Sequence, residues 1–70
     1  MNIKPGKYRH YKGNEYLVIG IAKHSEDLEP MVVYQALYGD KGLWVRPAHM
    51  WDEIICKDNY NGPRFQYIGE

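Results

Sequence analysis

No stretch of this sequence keeps an apolar period of 3.6 residues through three helical turns, and glycine and proline cut it into short segments. Without that period a chain cannot lay one apolar stripe along a helix, so its core has to come from strands. The strongest β run, Glu15 to Lys23, is apolar on both faces from Tyr16 to Ala22. Such a strand is either covered on both sides or bends from one sheet into another. Gly20 in its middle favours the bend, because glycine inside a strand marks bulges and barrel corners.

The turns around that run predict two hairpins. Lys7 to Tyr11 leads into Lys12-Gly13-Asn14, where Gly13 and Asn14 tolerate the positive φ of a tight turn. Two registers fit: Tyr11 opposite Tyr16, or Tyr11 opposite Glu15 with His10 opposite Tyr16. After the acidic loop His24 to Pro30, the segment Met31 to Tyr38 is rich in Val and Tyr, and Gly39-Asp40-Lys41-Gly42 is a turn signal before Leu43 to Arg46. Pairing Gly39 with Gly42 sets Tyr38 opposite Leu43, Leu37 opposite Trp44 and Gln35 opposite Arg46. Tyr34, Ala36, Tyr38, Leu43 and Val45 then share the other face. Pro47 ends this strand. Ala48 to Ile54 reads as a short helical turn or a bend into a strand near Ile54 to Lys57. Asp58 to Pro63 is the densest loop signal, and Arg64 to Ile68 a last strand. About five strands joined by short turns predict one all-β domain over residues 1–70, a small partly open barrel with at most one short helical turn, since closing a sheet protects its edges.

Charge and cysteine narrow the functional classes. Nine basic residues cancel nine acidic ones. That disfavours a protein devoted to gripping phosphate backbone, which relies on clustered Lys and Arg. Residues 1–24 carry Lys4, Lys7, Arg9, Lys12 and Lys23 against Glu15, a net of +4, and the remainder carries −4. Internal charge matching between the halves is the simplest expectation. Cys56 is the one cysteine, so no intramolecular disulfide forms, whereas a small secreted domain commonly needs such staples. With no charged-then-apolar leader and no long apolar run, the expectation is a cytoplasmic monomer without membrane attachment.

Candidate chemistry is sparse. In His24-Ser25-Glu26, consecutive extended residues point to opposite sides and cannot form a nucleophile relay. The motif reads instead as a loop entry in which Ser25 and Glu26 tie down backbone amides. His10, His24, His49 and Cys56 lack the close pairing of a zinc site, so no metal or cofactor is expected. The remaining cluster is aromatic and basic. Trp44 and Arg46 lie two apart on one strand, with Gln35 and Leu37 across from them, His24 or Glu26 at the rim, and Arg64 and Phe65 approaching from the last strand. Indole and guanidinium together suit planar or anionic ligands, peptides or a stacked base. The structural alternative makes Trp44 core and pairs Arg46 with Glu26 or Asp52.

Taken together, Pro5-Gly6-Lys7-Tyr8-Arg9-His10-Tyr11-Lys12-Gly13, Ala22 with His24-Ser25-Glu26, Val33-Tyr34, Leu37-Tyr38-Gly39, Trp44-Val45-Arg46-Pro47, Met50 and Arg64-Phe65 resemble a short bacterial family, the uncharacterised domain-of-unknown-function family number sixteen fifty-three. Nearly the whole chain is covered, with Trp51 where the pattern implies Phe. The resemblance implies an SH3-like barrel, a bacterial cytosolic source and no established activity. It makes Tyr8, His10, His24, Ser25, Glu26, Tyr38, Trp44, Arg46 and Arg64 candidates for a shared site. The expected function is a non-enzymatic binding module for a small ligand or peptide, with no catalytic residue. Two alternatives stand beside it: a nucleic-acid accessory domain using the basic N-terminal segment with aromatic stacking, and a metabolite-binding domain or enzyme built on His10, His24 and Arg46.

Overall fold

In the computed structural model, which describes residues 3–57 and 59–69, the glycine- and proline-bounded segments become seven strands and one helical turn. In chain order these are β1 (Gly6–His10), β2 (Glu15–Lys23), β3 (Pro30–Ala36), β4 (Leu43–Pro47), α1 (Ala48–Trp51), β5 (Ile54–Lys57), β6 (Tyr60–Pro63) and β7 (Phe65–Gly69). Five of them form an antiparallel sheet in the order β4-β3-β2-β1-β7, and β5 pairs with β6 in a separate hairpin. The mainly β expectation holds, with seven strands rather than about five. The large sheet stays open at β4 and β7 and does not close into a barrel. Among the seven, β6 is formed by residues that read as loop. Asn59 takes the positive φ of 65° that makes the turn tight, and the Tyr60 hydroxyl donates to the Pro63 carbonyl at 2.7 Å. Asp58 lies outside the described residues.

Gly20 marks an irregularity, as its position suggests, but β2 stays within one sheet and does not pass into another. The register of β2 against β3 shifts between Val18 and Gly20, a bulge that bends the long strand. Val18 is buried on the inner face while Ile19 and Ile21 are about half exposed, so β2 is not covered on both faces.

Both predicted hairpin registers are corrected, and for one physical reason. In the first, Tyr8 faces Tyr16 and Arg9 faces Glu15, and the turn closes between His10 and Asn14. Tyr11 opposes neither Tyr16 nor Glu15, because its N–H donates to the Arg64 carbonyl at 2.9 Å, beside β7. In the second, Gln35 faces Leu43, Tyr34 faces Trp44 and Val32 faces Arg46. The N–H of Leu37 donates to the Glu15 carbonyl on the β2 side at 3.0 Å, so β3 parts from β4 at Ala36, whose N–H reaches the Gly42 carbonyl. The register therefore differs by three residues. An odd shift turns every side chain to the other face. Trp44 and Arg46 still share a face, but with Tyr34 and Val32, while Gln35, Leu43 and Val45 lie on the opposite one.

The inner face of the sheet carries the core: Tyr8, Val18, Val32, Tyr34 and Phe65, covered by Ala48 and Trp51 of α1. Trp51 is 1% exposed and stacks on Phe65 with ring centroids 3.8 Å apart. It fills the place that the structural alternative gave to Trp44. The Arg ion pairs Arg9–Glu15 (3.2 Å) and Arg64–Glu53 (3.0 Å) and the His49–Glu29 contact (3.0 Å) each stay within one half of the chain, and among the described residues the two halves meet only in the local His24–Asp27 contact at 3.5 Å. No described helix is long and apolar enough to cross a membrane.

Candidate functional site

An aromatic depression occupies the inner face beside the β4 edge. Tyr16 from β2, Tyr34 from β3, Trp44 from β4 and Tyr38 from the β3–β4 loop line a space of about 220 Å³. The loop folds back because the Lys41 N–H donates to the Tyr38 carbonyl at 3.1 Å and the Gln35 amide donates to the Lys41 carbonyl at 3.1 Å. This places the Tyr38 hydroxyl 2.9 Å from that of Tyr16. Tyr16 also meets Tyr34 and Tyr38 edge to face at 5.4 and 5.6 Å. Burial, then the hydroxyl contact with Tyr38, pushes the Tyr16 phenol up to about 12, so it stays neutral. Trp44 is 58% exposed, and its indole forms the open wall.

Beside the depression, the Arg46 guanidinium and the His10 ring pack against Phe65, with Arg64 next to it in the chain. The Arg46 guanidinium lies 5.8 Å above the Phe65 ring, and its Nε donates to the Met50 carbonyl at a long 3.5 Å. Among the described residues Arg46 forms no ion pair, so neither Glu26 nor Asp52 neutralises it. His10 packs its ring 5.0 Å from Phe65 and 6.5 Å from Tyr16. Its pKa falls below the ordinary histidine value, first through burial and then through the positive charges of Arg64, Lys12 and Arg46. The Nδ1 atom of His10 accepts the Lys12 N–H at 3.2 Å, so in the neutral ring the proton sits on Nε2, a donor. Arg64 donates through Nη2 to Glu53 at 3.0 Å, yet among the described residues its buried Nε has no acceptor, and neither has the buried Trp51 Nε1.

The structure thus brings together Trp44, Tyr38, Arg46, His10 and Arg64 of the sequence candidates. It does not bring in the others. Gln35 points to the opposite face. His24 and Glu26 sit on the exposed β2–β3 loop, which joins β3 at its Pro30 end, away from the Tyr34–Trp44 pair. In that loop His24 Nδ1 accepts the Glu26 N–H at 3.1 Å and Asp27 accepts the Glu29 N–H at 3.0 Å. The side chains that tie down the amides are therefore His24 and Asp27, not Ser25 and Glu26. Tyr16 and Tyr34 belong to the site although the sequence did not single them out. Their signal was the even spacing of Tyr34 with Val32 and Ala36 on the buried side of β3.

The family model for the protein of unknown function DUF1653 matches residues 6–67. The chain belongs to this family. No curated protein matches it. A crystal structure of a DUF1653 protein from Bordetella bronchiseptica is similar at 40% identity and a TM-score of 0.90, over 97% of this chain and 90% of that one. The matched span of this DUF1653 domain contains both the aromatic depression and the cationic cluster, while the β4 and β7 edges of the sheet bound them.

Proposed function

We propose that this DUF1653 domain is a non-enzymatic binding module that takes a small ligand or peptide in the aromatic depression, with Trp44 as its stacking wall and Arg46 as its polar contact. The same proposal makes it a cytoplasmic monomer on a frame akin to an SH3-like barrel. The observation that carries the reading is Trp44 itself. A tryptophan 58% exposed, two residues from an unpaired arginine and walling a depression with three tyrosines, gives up burial that a small core needs. Tyr and Trp offer large rigid contact area with a polar tip, which suits a recognition surface. The non-enzymatic part is supported by the His24 loop, where the imidazole accepts a backbone N–H rather than activating Ser25.

The test is a chemical-shift screen of nucleotides, peptides and metabolites on the labelled domain, repeated with Trp44→Ala and Arg46→Ala. A ligand that moves the Trp44 indole signal in the parent, and loses that effect in Trp44→Ala at an unchanged melting temperature, supports the module. Shifts confined to the outer face of the sheet, or unchanged binding by Trp44→Ala, overturn it.

A further inference from the structure

The cationic cluster has more donors than acceptors. A guanidinium carries five N–H donors, and Arg46 uses one in a bond stretched to 3.5 Å. Arg64 Nε and Trp51 Nε1 are buried without acceptors among the described residues. A native fold seldom leaves such groups unmatched, because each costs about 1–3 kcal/mol of lost solvation. Charge is unbalanced in the same place. The positive charges of Arg64 beside β7, Lys12 from the β1–β2 turn and Arg46 from β4 act on His10, and His10 and Arg46 both pack against Phe65, at 5.0 and 5.8 Å, with the phenols of Tyr11 and Tyr16 alongside. Glu53 balances Arg64, but Arg46 and Lys12 have no ion-pair partner among the described residues. Like charges left in that way weaken a fold unless an anion completes them.

We infer that this cluster is a subsite for an oxyanion, a carboxylate or phosphate carried on a planar ligand, received by the Arg46 guanidinium and the Nε2–H of His10. The inference deepens the proposal above and rests on it in placing the ligand's ring against Trp44. Phe65 holds the Arg46 fork by its ring face, which leaves the N–H edge free for a two-point contact with an oxyanion. Trp44 and Arg46 lie two residues apart on the same face of β4, about 7 Å in an extended strand. That spacing matches a ring bearing its acid group directly. Arg64 contributes field rather than contact, its Nη2 being held by Glu53.

The experiment titrates the labelled domain with benzoate, phenyl phosphate, inorganic phosphate and the neutral isostere benzamide, reading the Trp44 indole, the Arg46 Nε–H and the His10 ring. At least one of the two ring-bearing anions binds at least tenfold more tightly than benzamide, moves all three signals and raises the His10 titration. Arg46→Gln removes the tenfold preference, and Arg46→Lys, which keeps the charge without the fork, loses most of the benzoate contact while retaining more of the phosphate. Benzoate against phenyl phosphate decides which oxyanion the subsite takes. Equal binding of benzamide and both anions, unchanged in Arg46→Gln, overturns the subsite and leaves the aromatic depression standing. Inorganic phosphate moving Arg46 and His10 while no ring-bearing compound moves Trp44 supports the subsite and overturns the depression. No anion moving Arg46 or His10 overturns the subsite outright.

Discussion

Replacing Trp51 tests the packing of the domain and its unmatched donor together. The indole is 1% exposed, stacked on Phe65, and meets Tyr8 and Tyr34 edge to face at 5.4 and 5.0 Å. Truncation to alanine removes the hub of the core and costs roughly 3–5 kcal/mol. A domain of this size has only about 4–10 kcal/mol in total. Trp51→Ala is therefore at or beyond the edge of folding. Trp51→Phe is a different case. The smaller ring buries about 50 Å² less apolar surface, a loss near 1.2 kcal/mol at about 25 cal/mol/Å². It also removes an N–H that is buried without an acceptor, a relief of about 1–3 kcal/mol. The two effects nearly cancel, so Trp51→Phe unfolds within about 1 kcal/mol of the parent. Urea denaturation followed by far-ultraviolet circular dichroism measures both variants without relying on the fluorescence that the substitution removes. A loss above about 2 kcal/mol in Trp51→Phe means that the indole N–H is bonded after all, and the reasoning from the unmatched donor fails.

Three further outcomes follow from the same geometry. His10 titrates below its ordinary 6.5, so the unfolded chain takes up a proton first; its contribution to stability is full above that value and lost as pH falls, and an NMR titration placing the pKa above 6.5 refutes it. Tyr16 stays protonated to about 12 against an ordinary 10.0, so its contribution is full below 10.0 and lost as pH rises to about 12; Tyr38→Phe removes the hydroxyl contact and brings the phenol down in a spectrophotometric titration. Gly6→Ala places a Cβ 2.9 Å from the Gly69 carbonyl oxygen and 3.0 Å from the Tyr67 ring at a φ of +137°, and thermal unfolding finds it more than about 2 kcal/mol worse, whereas Gly20→Ala, with open space at its Cβ, stays within about 1 kcal/mol.

The period-two pattern made much of the sheet legible. The span of β2, its bend near Gly20, the short turn after Pro47 and the shared face of Trp44 and Arg46 all follow from residue type and spacing. Both hairpin registers did not, because in each a third strand competes for the end of the hairpin. Tyr11 gives its N–H to the Arg64 carbonyl and Leu37 gives its own to the Glu15 carbonyl. Turn residues report how two strands can meet, not which neighbour captures the next amide. The site was half legible for the same reason. Trp44, Arg46, His10 and Arg64 stood out by type, but Tyr16 and Tyr34 join them only through the sheet order, and the separation of His24 and Glu26 only through the register.

That register also gives the site its polarity. Along β4 and into α1 the inner-face positions pass from Trp44, 58% exposed, through half-buried Arg46 to Ala48, fully buried. The gradient exists because β4 is an edge strand whose far end is covered by α1, with the Arg46 guanidinium over Phe65, while its near end has the Tyr38 loop beside it. A ligand entering from solvent would meet the flat indole first and the guanidinium last. This order suits the physics of each contact. Stacking on an exposed ring keeps much of its value in water, because it rests on area and shape. A charge–charge contact strengthens as water is excluded, since the interaction scales inversely with the local dielectric constant. Had β3 and β4 paired three residues further on, Trp44 and Arg46 would lie on the outer face, where the sheet has no α1 to withdraw the guanidinium from solvent, and an oxyanion there would meet a screened surface charge worth at most about 1 kcal/mol.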